Sequence, residues 1–178
     1  MNNSLKIVLT GAESTGKSTL AQGLADHFNG IYVPELARSY IESHQLKYTY
    51  TDIEKIARLQ IEKEKELHNE QQIIFFDTWL IITKVWFDFV YGRHPEWLHH
   101  AINKSNIGLF IVCDIDIPWV EDPVRENGGE NRQKLHNIYI NELEAYNFNY
   151  KIVSGNKNNR LQNATNIVNE FLYTKHIQ

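Results

Sequence analysis

The chain has 178 residues, enough to bury one hydrophobic core and too few for two domains of ordinary size. Its formal net charge of −4 argues against a broad electrostatic footprint for nucleic acid, although a local basic groove is compatible with it. The single cysteine, Cys113, excludes an internal disulfide and fits a reducing cytoplasm; within the run IGLFIVC it reads as a buried strand thiol rather than a nucleophile.

The polar start MNNSLK carries no signal-peptide pattern, and no apolar run has the length of a bilayer span, so a soluble cytoplasmic protein without a membrane partner is expected. Leu5 to Leu9 is almost continuously apolar, as a parallel strand covered on both faces requires. It runs directly into GAESTGKSTL, residues 11–20, a match to the phosphate-binding G-x-x-x-x-G-K-[ST] loop between a strand and an amphipathic segment. Glycines let such a loop curl its N–H groups onto phosphate oxygens, and the helix that follows adds its positive dipole end. Gly11, Glu13, Ser14, Thr15, Gly16, Lys17, Ser18 and Thr19 are therefore the expected cradle for ATP. Lys17 is placed against the β- and γ-phosphates and Ser18 against Mg²⁺.

Gly30 to Val33 reads as a second strand, and Pro34 begins the helix PELARSYIESH, which leaves Glu35 at a strand's C-terminal end, the edge where open α/β sheets bind ligands. The capping-box pattern Thr51-x-x-Glu54 opens a long helix whose EKEKE run reads as a solvated face. QQIIFFD, residues 71–77, is an apolar strand ending in an acid. Asp77 is read as a metal-directed carboxylate, with a plain helix N-cap as the alternative. In the next helix Trp79, Ile82, Trp86 and Phe89 form a stripe assigned mostly to the core, and RHPEWLHH, residues 93–100, reads as a looser piece whose histidines are surface residues.

A strand over Ile107 to Asp114 leads into a polar segment with two prolines and the pair Gly128-Gly129, long for a plain connection. A lid over about residues 117–133 is predicted. In phosphoryl transfer a lid excludes water and brings guanidinium groups to the transferring phosphoryl oxygens, so Arg125 and Arg132 are catalytic candidates, with solvated arginine as the alternative. A helix from Gln133 to Asn147, a strand at Tyr150 to Val153 and a closing helix from Leu161 to Tyr173 complete the chain. The expectation is one domain over residues 1–178, a three-layer α/β P-loop fold with a five-stranded parallel sheet.

Taken together these motifs resemble the NadR-type ribosylnicotinamide kinase domains. The resemblance rests on G-x-E-S-[ST]-G-K-S-T-L at 11–20, on Glu35 with Arg38 and Tyr40, on F-x-D-T at 75–78, and on P-W-V-x-D-x-x-R at 118–125. It implies ATP- and Mg²⁺-dependent phosphorylation of the ribose 5′-hydroxyl of nicotinamide riboside, giving nicotinamide mononucleotide. Proteins of this type often carry DNA-binding and adenylyltransferase domains ahead of the kinase; with the kinase pattern starting at residue 5, neither activity is expected here. Glu35, Arg38, Tyr40, Asp77, Trp119 and Asp122 become substrate-binding candidates. Trp119 offers a face for a cationic pyridinium ring or, alternatively, anchors the loop.

The proton of the acceptor alcohol needs a base. The resemblance to nucleoside kinases favours Glu35, leaving Asp77 to Mg²⁺ or its water shell, while Asp77 as base or ribose ligand stays open. A kinase of another nucleoside or nucleotide, or a nucleotide-binding sensor, fits the same loop. A GTPase is disfavoured, since Asn103-Lys104-Ser105-Asn106 lacks the aspartate of N-K-x-D.

Overall fold

In the computed structural model, residues 4–45, 47–67, 72–120 and 129–176 are described. Five strands, β1 (Leu5–Thr10), β2 (Ile31–Val33), β3 (Ile73–Asp77), β4 (Leu109–Cys113) and β5 (Tyr150–Val153), form one parallel sheet in the order β2-β3-β1-β4-β5. The helices are α1 (Lys17–Phe28), α2 (Leu36–Ser43), α3 (Tyr50–Glu66), α4 (Leu80–Tyr91), α5 (Glu96–Asn103), α6 (Glu130–Ala145) and α7 (Lys157–His176). The expected five-stranded parallel α/β fold is present.

The two-residue period of the strands makes the three layers. In β1, Ile7 and Leu9 face one side and join Leu20 and Leu24 of α1 and Val168 of α7. Val8, between them, faces the other side, where it meets Ile53 of α3, Leu80 of α4 and Leu135 of α6. The chain builds the sheet on one side of β1 before crossing to the other, so the crevice beyond the carboxyl end of β1 lies where strand order reverses. The loop after β1 sits there.

Local structure departs from the sequence expectations at four places. Pro34 lies before the helix rather than in its first turn, because Glu35 is the N-cap of α2. Helix α3 begins two residues early: Thr49 is its N-cap, its hydroxyl accepts from the Asp52 amide, and the Asp52 carboxylate accepts from the Thr49 amide. Glu54, the acid of the expected box, instead accepts from Arg58 and from the Trp97 indole. The charged run is not wholly solvated, since Glu64 forms a 2.8 Å ion pair with Lys6, a β1 residue only 2% exposed. RHPEWLHH, residues 93–100, expected as a looser piece, instead runs into α5 from Glu96 onward, and the helix buries Leu98 and Ile102 one turn apart. Its histidines sit at the surface: His99 and His100 are exposed, and no group of three metal-ligating side chains occurs among the described residues.

Candidate active site

Gly11 and Gly16 set the shape of the loop after β1. At Gly11 the backbone has φ 133°, and a Cβ there would stand 2.7 Å from the carbonyl oxygen of Cys113, so the loop lies against β4 only because no side chain intervenes. Gly16 is the left-handed N-cap of α1 at φ 78°. Cys113 is fully buried beneath this contact and its thiol is pushed up to about 11 by that burial, which matches a structural thiol. Within the loop, the Thr15 hydroxyl and the Lys17 ammonium both donate to the Ala12 carbonyl, at 2.8 and 2.9 Å.

The loop forms one end of a cavity of about 320 Å³. Gly11 and residues 13–19 line it, as the sequence predicts for a phosphate cradle. Glu35 and Arg38 stand beside the loop, and the far wall is apolar and aromatic, with Ile82, Val85, Trp86 and Phe89 from α4 opposite Tyr48 and Tyr139. Here the stripe of α4 does something other than fill the core. Trp79 is buried, but Ile82 and Trp86 are half-buried and Phe89 is 47% exposed, because this face looks into the cavity. The core side of α4 is carried by Leu80, Ile81 and Phe87. An aromatic stripe whose exposure rises along the helix is a cavity wall, and periodicity alone cannot separate that from a core face.

Asp77 ends β3 in register with Leu9 of β1, beneath the loop, and is 1% exposed. Burial raises its pKa, opposed by the Ser18 hydroxyl and the Lys17 charge. No hydrogen bond of ordinary geometry reaches either carboxylate oxygen, although the Ser18 and Tyr32 hydroxyls lie close enough to lower the pKa, so the site offers a buried carboxylate beside a serine hydroxyl, the oxygen ligands a hard divalent cation takes. The turn that follows is strained: Thr78, β-branched, has φ 68°, and its amide is held by the Leu9 carbonyl at 3.0 Å. Glu35 is raised by burial first, with Lys17 lowering and Asp77 raising it. Two carboxylates and one ammonium thus meet where the loop joins the aromatic cavity.

Other predicted site residues lie elsewhere. Tyr40 points away from the cavity; its hydroxyl donates to Asp52 at 2.9 Å and its ring stacks on His44, so it braces the start of α3 rather than a ligand. Trp119 is half-buried and outside the set of described residues lining the cavity. Asp122 and Arg125, with the middle of the expected lid, lie outside the described residues. Arg132 is not a solvated lid arginine. It is 8% exposed, and its guanidinium donates to the carbonyls of Glu13 (3.2 Å), Ser14 (3.0 Å) and Ile117 (2.8 Å). Arg160 of α7, absent from the sequence expectations, does the same for the Thr15 carbonyl at 2.6 Å. An arginine early in a C-terminal helix carries no local signal of that role.

Comparison with known proteins agrees with this geometry. A family model described as an AAA domain matches residues 6–160. Over 173 residues the chain is 26% identical to the trifunctional NAD biosynthesis/regulator protein NadR of Escherichia coli (strain K12), a match covering 93% of this chain and 42% of that protein. The chain thus spans about two-fifths of the length of that curated relative. A crystal structure of NadR protein in complex with NR superposes with a TM-score of 0.75 at 21% identity, covering 94% of this chain and 50% of that one. A deoxyadenosine kinase from M. mycoides, solved with dCMP and dCDP bound, superposes at 0.70 and 14% identity, covering 93% of this chain and all of the other. Both superpositions establish a shared nucleoside-kinase-like fold.

Proposed function

The chain belongs to the AAA domain family, and from that premise we propose that it is an ATP-dependent kinase that phosphorylates the ribose 5′-hydroxyl of nicotinamide riboside to nicotinamide mononucleotide. The observation that carries the reading is the meeting of Lys17, Glu35 and Asp77 at the junction between the phosphate-binding loop and an aromatic cavity of nucleoside size. The similarity to NadR, whose structure was solved with NR, supports the choice of riboside.

ATP lies with its phosphates against residues 11–19 and its γ-phosphate beside Lys17. The riboside occupies the cavity with its flat ring against Trp86, Phe89, Tyr48 and Tyr139; a cationic pyridinium is attracted to such aromatic faces. The 5′-oxygen attacks the γ-phosphorus, the bond to the β-phosphate bridging oxygen breaks, ADP leaves, and the hydroxyl proton passes to a carboxylate. Glu35 is assigned that base role because it lines the cavity and its raised pKa brings it closer to the operating pH than an ordinary glutamate. Asp77, buried beneath the loop with open oxygens beside Ser18, is assigned to Mg²⁺ with Ser18. The metal, when bound, neutralises phosphate charge in the transition state. Arg38 is assigned to the acceptor side, and Arg125, Asp122 and Trp119 to a lid over about residues 117–133 of the single kinase domain.

Purified protein with ATP and Mg²⁺ should form ADP with nicotinamide riboside in preference to deoxynucleosides and ordinary ribonucleosides. Preference for a deoxynucleoside moves the reading to the deoxynucleoside-kinase alternative, which the superposition on deoxyadenosine kinase keeps in view. Ligand-dependent stabilisation with no ADP formed against any acceptor makes the protein a sensor.

A further inference from the structure

Two buried guanidinium groups, one from each face of the sheet, donate to the backbone of the phosphate-binding loop. Arg132, from α6, holds the carbonyls of Glu13 and Ser14 and ties them to Ile117 beyond β4. Arg160, from α7, holds the next carbonyl, Thr15, and ties it to Asp114 at 3.3 Å and to the Gly155 carbonyl at 2.6 Å. Asp116 pairs with Arg160, and the other Asp116 oxygen accepts from the Gly155 amide at 2.6 Å. Three consecutive loop carbonyls, those of Glu13, Ser14 and Thr15, are therefore held by these two side chains. In a trans peptide the carbonyl and the following N–H point in opposite directions, so the same contacts also fix the amides of Ser14, Thr15 and Gly16, residues that line the cavity.

We propose that Arg132 and Arg160 are positioning residues for nucleotide binding: as a pair they fix the amide donors of residues 14–16 without touching the ligand. The inference rests on the reading of this loop as the ATP phosphate site. Its physical basis is preorganisation. A loop whose amides are already fixed does not have to reorganise when phosphate arrives, and the fork of a guanidinium can grip two carbonyls at once where an ammonium cannot. One guanidinium in each of the last two helices also makes the cradle depend on the docking of α6 and α7.

The test compares Arg132→Met, Arg132→Lys and Arg160→Lys with Val168→Ala, a variant that removes buried volume from α7 on the opposite side of the sheet from the cavity wall. Apo melting temperature, the Kd for a non-hydrolysable ATP analogue by calorimetry, and the acceptor KM are measured in the full chain. Val168→Ala should lower the melting temperature with the analogue Kd within about twofold of wild type. The arginine variants should weaken analogue binding by roughly tenfold or more, with the acceptor KM little changed, and the lysines should fall between wild type and methionine. Folded lysine variants that bind the analogue as wild type does overturn the proposal, and this remains decisive if Arg132→Met does not fold. Equal weakening by Val168→Ala also overturns it, because general destabilisation would then suffice. Failure of the wild-type protein to bind any nucleoside triphosphate overturns the phosphate-site reading as well, which separates the two.

Discussion

The charge of Asp77 raises the pKa of Glu35, although the two carboxylates stand at the ends of different strands, β3 and β2. Those strands are neighbours, with Val33 in register with Phe76, so their carboxyl ends open onto one crevice. Folding raises the pKa of both acids, and in both the first cause is burial. The folded protein therefore holds protons that the unfolded chain releases. Its stability from these groups is complete below the ordinary carboxylate pKa of about 4 and declines as pH rises toward the folded values.

Asp77→Asn should accordingly stabilise the protein without ligand at pH 7.5, by about 1 kcal/mol or roughly 2–4 °C in melting temperature, while removing most kinase turnover. The gain should shrink as pH is lowered and wild-type Asp77 takes up its proton. A pH series of thermal melts checks this, and a lower melting temperature for the variant at pH 7.5 would mean that the carboxylate is satisfied in a way its open oxygens do not indicate.

Gly11→Ala tests the contact on which the loop's position depends. With a Cβ 2.7 Å from the Cys113 carbonyl and a backbone φ of 133°, the substitution should cost about 2–4 kcal/mol in denaturant unfolding and abolish nucleotide binding. Native-like stability would show that the loop can lift from β4 at little cost.

The cavity wall was the part of the site least legible in the sequence. The loop announced itself through a local motif, and Asp77 through its place at the end of an apolar strand. The sheet followed from apolar runs separated by helical segments. Trp86 and Phe89 share the spacing of core residues, and only the packing of α4 against α3 and α6 reveals which face is left open. Arg132 was legible as a site residue, but its direction was not, because a guanidinium next to a loop can face ligand or backbone equally well. Arg160 depends on a contact 145 residues apart in sequence. The Thr49 cap is hidden in the sequence for a different reason: two threonines compete for one helix start, and the one whose acid closes back on its amide wins.

Phe89→Ala should separate acceptor from nucleotide. The ring is 47% exposed and lines the cavity, so its loss costs little stability but should raise the KM for riboside roughly tenfold with the ATP KM nearly unchanged. Steady-state kinetics with each substrate varied in turn checks this; a matching rise for ATP would place the adenine, rather than the acceptor, against α4.

Lys6→Met should be costly although it lies in a strand far from the chemistry. Removing one partner of the buried Lys6–Glu64 pair leaves Glu64 uncompensated between β1 and α3, which should destabilise by about 3 kcal/mol in urea unfolding. The double variant Lys6→Met with Glu64→Leu should recover most of that loss, and a neutral single variant would show that Glu64 reaches solvent freely.

Everything proposed for the site turns on transfer of the γ-phosphoryl group of ATP to a riboside 5′-hydroxyl. Its most direct test pairs nicotinamide riboside with the 5′-deoxy analogue, with ADP and phosphorylated product measured together. Equimolar ADP and nicotinamide mononucleotide are expected from the riboside, and no ADP above background from the analogue. No product from the riboside, or equal ADP formation with both compounds, would contradict it.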